Sequence, residues 1–296
     1  MRIDLHTHSS VSDGTDTPDA LVRNAAAVGL DVIALTDHDT FDGWVAAIAA
    51  GHEHGIAVIG GVEVSSSLGG AGVHVLGYLP DPSYEPLVAE LERIRTHRAS
   101  RLAAIIDRLA TIGVQVTEQD VLAVASRASS LGRPHVADAL VARGYVRDRG
   151  EAFTNWLAEG GPAYVPKYSP STPDAIALVR RAGGVAVLAH PWGRSSRRVL
   201  TPTAIEELAR AGLAGIEVDH DDHSGADRAE LRALAADLGL IVTGSSDHHG
   251  TGKVGHELGR NTTAPEEYER LLDIARHKPL APGSPGPVGD TSSGAA

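Results

Sequence analysis

The sequence predicts an α/β protein built on a parallel sheet or barrel. Short, fully apolar runs alternate with segments of helical character, the order expected of strand–helix units. Thr-Pro-Asp triplets at Thr17-Pro18-Asp19 and Thr172-Pro173-Asp174 read as helix starts: Thr caps, Pro sits at the first helical position and Asp favours the first turn. With two Phe and six Tyr in 296 residues, Val, Leu, Ile and Ala must fill the core, which suits Ala-rich helices on Val/Ile strands. That length is compatible with one α/β barrel, and a 42% hydrophobic fraction is normal for a chain with a full core.

The elements follow in order. Residues 2–5 read as a short strand, followed by a helix that Gly29 closes. Residues 31–35 (DVIAL) form the next strand, with a helix from about Phe41. A strand then runs over 56–63 and another over 72–78 (GVHVLGY). From about 84 to 160 the pattern changes. Leu87, Leu91, Ile94 and then Leu102, Ile105, Ile106 and Leu109 recur at helical spacing, and no strand is apparent. The alternation resumes with strands at 185–188, 215–218 and 240–243, and helices after Thr172, after Thr201-Pro202 and over about 226–237. The expected organisation is a first barrel part over 1–83, a helical insertion over 84–160, a second barrel part over 161–277 and a Pro/Gly/Ser-rich disordered tail over 278–296.

Composition excludes several chemistries. With no cysteine there can be no disulfide, thiolate zinc site or cysteine nucleophile, so a metal must be held by His, Asp and Glu. The opening residues lack the apolar region of a signal peptide, and no run of about 18 apolar residues occurs. No membrane association is expected, and the cytoplasm is the simplest location. A formal charge of −12 argues against long DNA or RNA on a broad basic face, though not against a short phosphorylated ligand. Nothing in the sequence bears on oligomeric state.

Candidate chemistry gathers where strands end, the position at which parallel α/β folds build their sites. His6 and His8 close the first strand, and their H-x-H spacing turns both imidazoles to one side. Asp13 follows soon after, and Asp37-His38-Asp39 follows DVIAL. Glu63 ends its strand, His74 lies in the next, His190 ends VAVLA, and Asp247 and His249 follow LIVTGSS. A lone strand-end His is more often structural. Imidazoles and carboxylates recurring at strand after strand are the donors that Zn, Mn and Fe accept, and burying so many without cations would be very costly. The residues by themselves therefore predict a polynuclear metal site.

The chain resembles the PHP (polymerase and histidinol phosphatase) family. Its motifs occur in order as His6-Thr7-His8, Thr36-Asp37-His38-Asp39, Ala189-His190-Pro191 and Ser246-Asp247-His248-His249. Ser12-Asp13-Gly14, Gly61-Val62-Glu63 and His74-Val75-Leu76-Gly77-Tyr78 narrow the likeness to stand-alone phosphoesterases acting on nucleotides. The resemblance spans about residues 1–275. It implies a distorted (β/α)7 TIM-like barrel and two or three divalent metal ions, Mn, Fe or Zn. His6, His8, Glu63 and Asp247 would hold the first ion; Asp13, His38 and His249 the second; Glu63, as a bridge, with His74 and His190 the third. His248 stands where the family usually has Phe.

The implied reaction is hydrolysis of phosphate monoesters of small nucleotides, such as nucleoside 3′,5′-bisphosphates, or of short 5′-phosphorylated RNA, by a water activated between metals. Asp37 either orients His38 or another ligand, or holds a turn. Gly132-Arg133-Pro134-His135 resembles the family's substrate-binding segment, with Arg133 forked onto phosphate and His135 donating to another oxygen or protonating a leaving group. Lys167 reads as a phosphate contact or a solvated lysine, and His223 as a substrate contact at even odds. Arg93, Arg95, Arg98 and Arg101, with His97 among them, read as a solvated helix face rather than an RNA track. His52 and His54 read as solvated, and His220, His256 and His277 carry no signal. The alternatives are a histidinol-phosphate phosphatase, a non-catalytic metal-binding module and an amidohydrolase, which also starts with H-x-H on a barrel.

Overall fold

The computed structural model describes residues 1–124, 132–193 and 196–277. The tail expected over 278–296 lies outside them. Seven strands form one sheet in sequence order: β1 (Ile3–Thr7), β2 (Val32–Leu35), β3 (Ala57–Leu68), β4 (Ala71–Tyr78), β5 (Val185–Leu188), β6 (Gly215–Asp219) and β7 (Ile241–Gly244). The sheet curls nearly closed: Thr7 bridges His248, whose carbonyl accepts from the His8 N–H at 2.9 Å. Tyr78 crosses the interior to donate its hydroxyl to the Leu5 carbonyl at 2.9 Å. The interior is filled by small and branched side chains, among them Ile3, Val32, Leu76, Val187 and Ile241.

One expectation needs correction. β1, β2 and β3 are parallel, as are β5, β6 and β7, but β4 runs antiparallel to both its neighbours. The reason is the connection. β3 continues to Leu68, and Gly69-Gly70 turns straight back into β4 with both glycines at positive φ (53° and 78°). Two residues can close a hairpin but cannot make the crossover that a parallel neighbour needs.

Helices α1 (Pro18–Ala27), α2 (Trp44–His54), α7 (Thr172–Arg181), α8 (Pro202–Ala211), α9 (Gly225–Leu238) and α10 (Pro265–His277) belong to the strand–helix part of the chain. Thr17 caps α1 and Thr201 caps α8, as their spacing predicts. At α7 the cap is Ser171 rather than Thr172, and Thr172 is the buried first helical residue. Between β4 and α7 lie α3 (Glu85–Thr111), α4 (Glu118–Val124), α5 (Arg133–Ala142), α6 (Arg149–Ala152) and a π-helical turn (Phe153–Leu157). This stretch has its own apolar cluster, built on Leu102, Ile105, Leu109, Val136, Leu140 and Leu157. The first turns of α3 instead bury Leu87, Leu91 and Ile94 against the barrel's β3–β6 side. The 27-residue α3 thus spans two cores and sets the helical segment over the strand ends.

Candidate metal centre and phosphate cleft

All nine candidate ligands come together. Glu63, expected to end its strand but set within β3, and 1% exposed, is the hub. Its Oε2 lies 3.2 Å from His6 Nε2, His8 Nε2 and His38 Nδ1, and its Oε1 lies 2.7 Å from His74 Nδ1 and 3.1 Å from His190 Nε2. Asp247 Oδ1 is 3.5 Å from His6 Nε2 and 3.4 Å from His8 Nε2, which are 3.0 Å from each other. Asp13 sits between His249 Nε2 (3.3 Å), His38 Nε2 (3.4 Å) and His8 Nδ1 (3.5 Å). His8 and His38 therefore each face two groups of donors, where the family likeness implied one apiece.

These donors fit metal ions. Ligands about 2.1 Å from a tetrahedral ion stand about 3.4 Å apart, the scale of the contacts above. Buried His8 Nδ1 and His38 Nδ1 have no hydrogen-bond partner, which is rare for buried polar atoms unless another ligand claims them. Charge points the same way. Burial opposes ionisation of Glu63, yet His38, His74 and His6 hold its carboxyl well below the usual range. Burial likewise opposes charge on His8, but the Asp247 and Glu63 carboxylates lift its imidazole to about 10. Burial pushes His74 down to about 4. The carboxylates thus draw protons onto some of the surrounding imidazoles; bound cations would supply that positive charge instead.

The backbone is strained where these groups attach. Among the described residues four non-glycines have positive φ, and three of them are Asp39 (56°), His190 (27°) and Asp247 (51°). Such geometry persists only where surrounding contacts enforce it, and it concentrates at functional sites.

Several supporting groups escaped sequence reasoning. Glu217, fully buried in β6, accepts from His6 Nδ1 at 3.0 Å and from the His190 N–H at 2.8 Å. That bond places the His6 proton on Nδ1 and leaves Nε2 free as a ligand atom, the usual carboxylate–histidine–metal arrangement. A charged residue inside the apolar run Gly-Ile-Glu-Val was the available signal. His220, also fully buried, contacts Asp247 Oδ2 at 3.2 Å. Asp4 is buried too and ties β1 to the last loop by accepting from the Ser246 N–H and hydroxyl and the Gly259 N–H.

The remaining expected residues take different places. Of its expected roles Asp37 takes that of holding a turn: its carboxylate accepts from the Ser9 N–H (2.8 Å), the Ser9 hydroxyl (2.7 Å) and the Ser12 hydroxyl (2.6 Å), so it clamps the loop that carries Asp13. His223 is 4% exposed and spends both ring nitrogens on backbone, donating to the Val218 carbonyl and accepting from the Trp192 N–H. It has no nitrogen left for a substrate. His248 turns aside to the His256 carbonyl (2.8 Å), while His249 faces Asp13. His135 Nδ1 accepts from the Gly132 N–H at 3.1 Å and so caps α5. Arg133 donates to the Leu157 carbonyl at 3.1 Å and lies over the Tyr164 ring.

The arginines of α3 divide: Arg93 is 58% exposed, as a solvated face requires, whereas Arg98 and Arg101 are partly buried. Arg93 lies over Tyr168, which also stacks on His97. Arg98 pairs with buried Asp39 and donates to the Ser65 hydroxyl at 2.9 Å, and Arg101 donates to the Val165 carbonyl at 2.9 Å. Arg98 and Arg101 act electrostatically on Lys167, and Arg133 on Arg101. Lys167 opens to solvent but is surrounded by protein on most sides. Removal from bulk water, then the neighbouring arginines, lower its pKa. Arg98 and Arg95 also line a cavity of about 440 Å³ with Val11, Ser12, Asp42, Glu118 and one of the candidate donors, His38.

Nine His, Asp and Glu side chains gathered in an α/β barrel, beside a cavity that Arg95 and Arg98 line, define a candidate metal-binding site of the metallohydrolase class. The comparisons with known proteins are specific. The sequence profile of the PHP domain matches residues 4–111. The chain is 36% identical over 263 residues to the 3′,5′-nucleoside bisphosphate phosphatase of Chromobacterium violaceum, covering 89% of this chain and 92% of that one. It is 33% identical over 248 residues to a 5′–3′ exoribonuclease of Haemophilus influenzae, covering 84% and 90%. A crystal structure from Bifidobacterium adolescentis, assigned as a metal-dependent phosphoesterase, superposes with a TM-score of 0.77 at 37% identity, covering 92% and 96%. The chain belongs to the PHP family.

Proposed function

We propose that this metal-dependent phosphoesterase removes a phosphate from small nucleotides, with nucleoside 3′,5′-bisphosphates as the leading class. The observation that carries the reading is a cavity of about 440 Å³, of nucleotide size, that brings the candidate donor His38 and the α3 cations Arg95 and Arg98 into one lining. Two or three divalent ions (Mn, Fe or Zn) would be held by His6, His8, Glu63 and Asp247, by Asp13, His38 and His249, and by Glu63, His74 and His190. Ions held there would activate a water near neutral pH and neutralise phosphate oxygens.

The chain's own residues do the rest. Glu217 holds the His6 and His190 segments, and Asp37 holds the Asp13 loop. Lys167 and Arg133 bind the phosphate that is not cleaved, in the positive field of Arg98 and Arg101, which sets the scissile group against the donors. The segment 84–160, carried by α3, acts as the substrate-facing unit, with the barrel parts 1–83 and 161–277 as the chemical one. Short 5′-phosphorylated RNA is the second reading. The likeness to an exoribonuclease favours it, but the α3 arginines are spent on protein groups rather than lined up as an open track. Among the described residues no helix is long and apolar enough to cross a membrane.

The test is phosphate release, with Mn, Fe or Zn loaded in turn, from adenosine 3′,5′-bisphosphate, AMP, histidinol phosphate and a short 5′-phosphorylated RNA. Fastest turnover of the bisphosphate is expected. Tight metal binding without hydrolysis of any phosphoester would reduce the chain to a non-catalytic metal-binding module.

A further inference from the structure

Asp247 uses its two oxygens differently. Oδ1 faces His6, His8 and His249 at 3.4–3.5 Å. Oδ2 turns the other way, to His220 Nε2 at 3.2 Å and to the Lys253 ammonium group, which forms an ion pair with it. The protonation of His220 follows from its other side. The Asp222 N–H donates to His220 Nδ1 at 3.0 Å, so Nδ1 carries no proton and Nε2–H must donate to Asp247. Lys253 reaches in from just beyond the short 3₁₀ turn Gly250–Gly252, which directly follows His249. Its side chain is only 20% exposed.

We infer that Lys253 and His220 are positioning residues that hold Asp247 as a one-oxygen ligand, with Oδ2 saturated by two donors and Oδ1 alone offered to the ion beside His6 and His8. This rests on the reading of the donor cluster as a metal centre. The physical case is geometric and electrostatic. A carboxylate with both oxygens free can swing or chelate, and Asp247 sits on a strained backbone with φ of 51°. Two donors on one oxygen fix its rotation, and the Lys253 charge offsets part of the excess carboxylate charge in a site that also holds Glu63, Asp13 and Glu217. Removing such outer partners ordinarily costs about 10- to 100-fold in metal affinity.

The experiment is calorimetric titration of the metal-free full chain with Mn²⁺, comparing wild type, Lys253→Met, Lys253→Arg and His220→Asn, with thermal melts of each metal-free protein. Lys253→Met is expected to weaken the tightest site about 10-fold at unchanged melting temperature, and Lys253→Arg to restore most of it. His220→Asn should weaken the same site. A purely structural Lys253 would lower the melting temperature and leave the affinity alone. Wild-type affinity and stoichiometry in both Lys253→Met and His220→Asn overturn the inference by itself. A wild-type chain that binds no Mn²⁺ removes the metal-centre reading, and this one with it.

Discussion

The strand ends of the barrel and the helical segment above them meet at one cleft but were legible to very different degrees. At the strand ends residue type and position coincide: His6, His38, His190 and Asp247 each end or follow an apolar strand, Glu63 lies within β3, and topology brings them together. In the helical segment they do not. Arg98 and Arg101 sit in a run of arginines that reads as any solvated helix face. Only the packing of α3 across two cores turns Arg98 toward Asp39 and the cavity. A cluster of candidate donors carried by successive strands is a local pattern repeated. The gathering of helix and loop cations near it is a tertiary product.

The sharpest way to break this comparison is at the hub. Glu63→Gln removes the charge that five imidazoles share. Metal content, by elemental analysis, should fall, and turnover should drop by more than the roughly 100-fold that outer partners cost. Retained metal and activity would mean that the strand ends are not the chemical wall.

A smaller and different effect is expected across the cleft. Among the described residues no carboxylate pairs with the Lys167 ammonium group. Lys167→Met should therefore raise KM for a bisphosphate by about 10-fold, the scale of a charge-assisted hydrogen bond, with metal content unchanged. An unchanged KM would dissociate Lys167 from substrate binding.

The smallest effect separates structure from chemistry. Burial lowers the pKa of His223, so the folded state favours its neutral form. As pH falls below the ordinary histidine value of about 6.5, the unfolded chain takes up this proton first, and stability falls with it. His223→Asn lacks that proton. The stability gap between wild type and variant, measured by urea unfolding, should therefore narrow from pH 7 to pH 5. A constant gap would mean that His223 titrates alike in both states.

The sequence alone determined the strand–helix alternation, the helical character of the middle segment and the residue types of the nine candidate donors. Those features follow from periodicity, capping chemistry and residue type, which are local. Tertiary structure alone decided that β4 runs antiparallel, because a two-glycine turn leaves no room for a crossover. It also decided that Asp37 clamps a loop, that His223 is spent on backbone, and that Glu217 and His220 orient the donors. Each of these depends on which atom a buried polar group meets from a distant part of the chain. A buried donor or acceptor must find a partner, and only the closed fold determines which one is within reach.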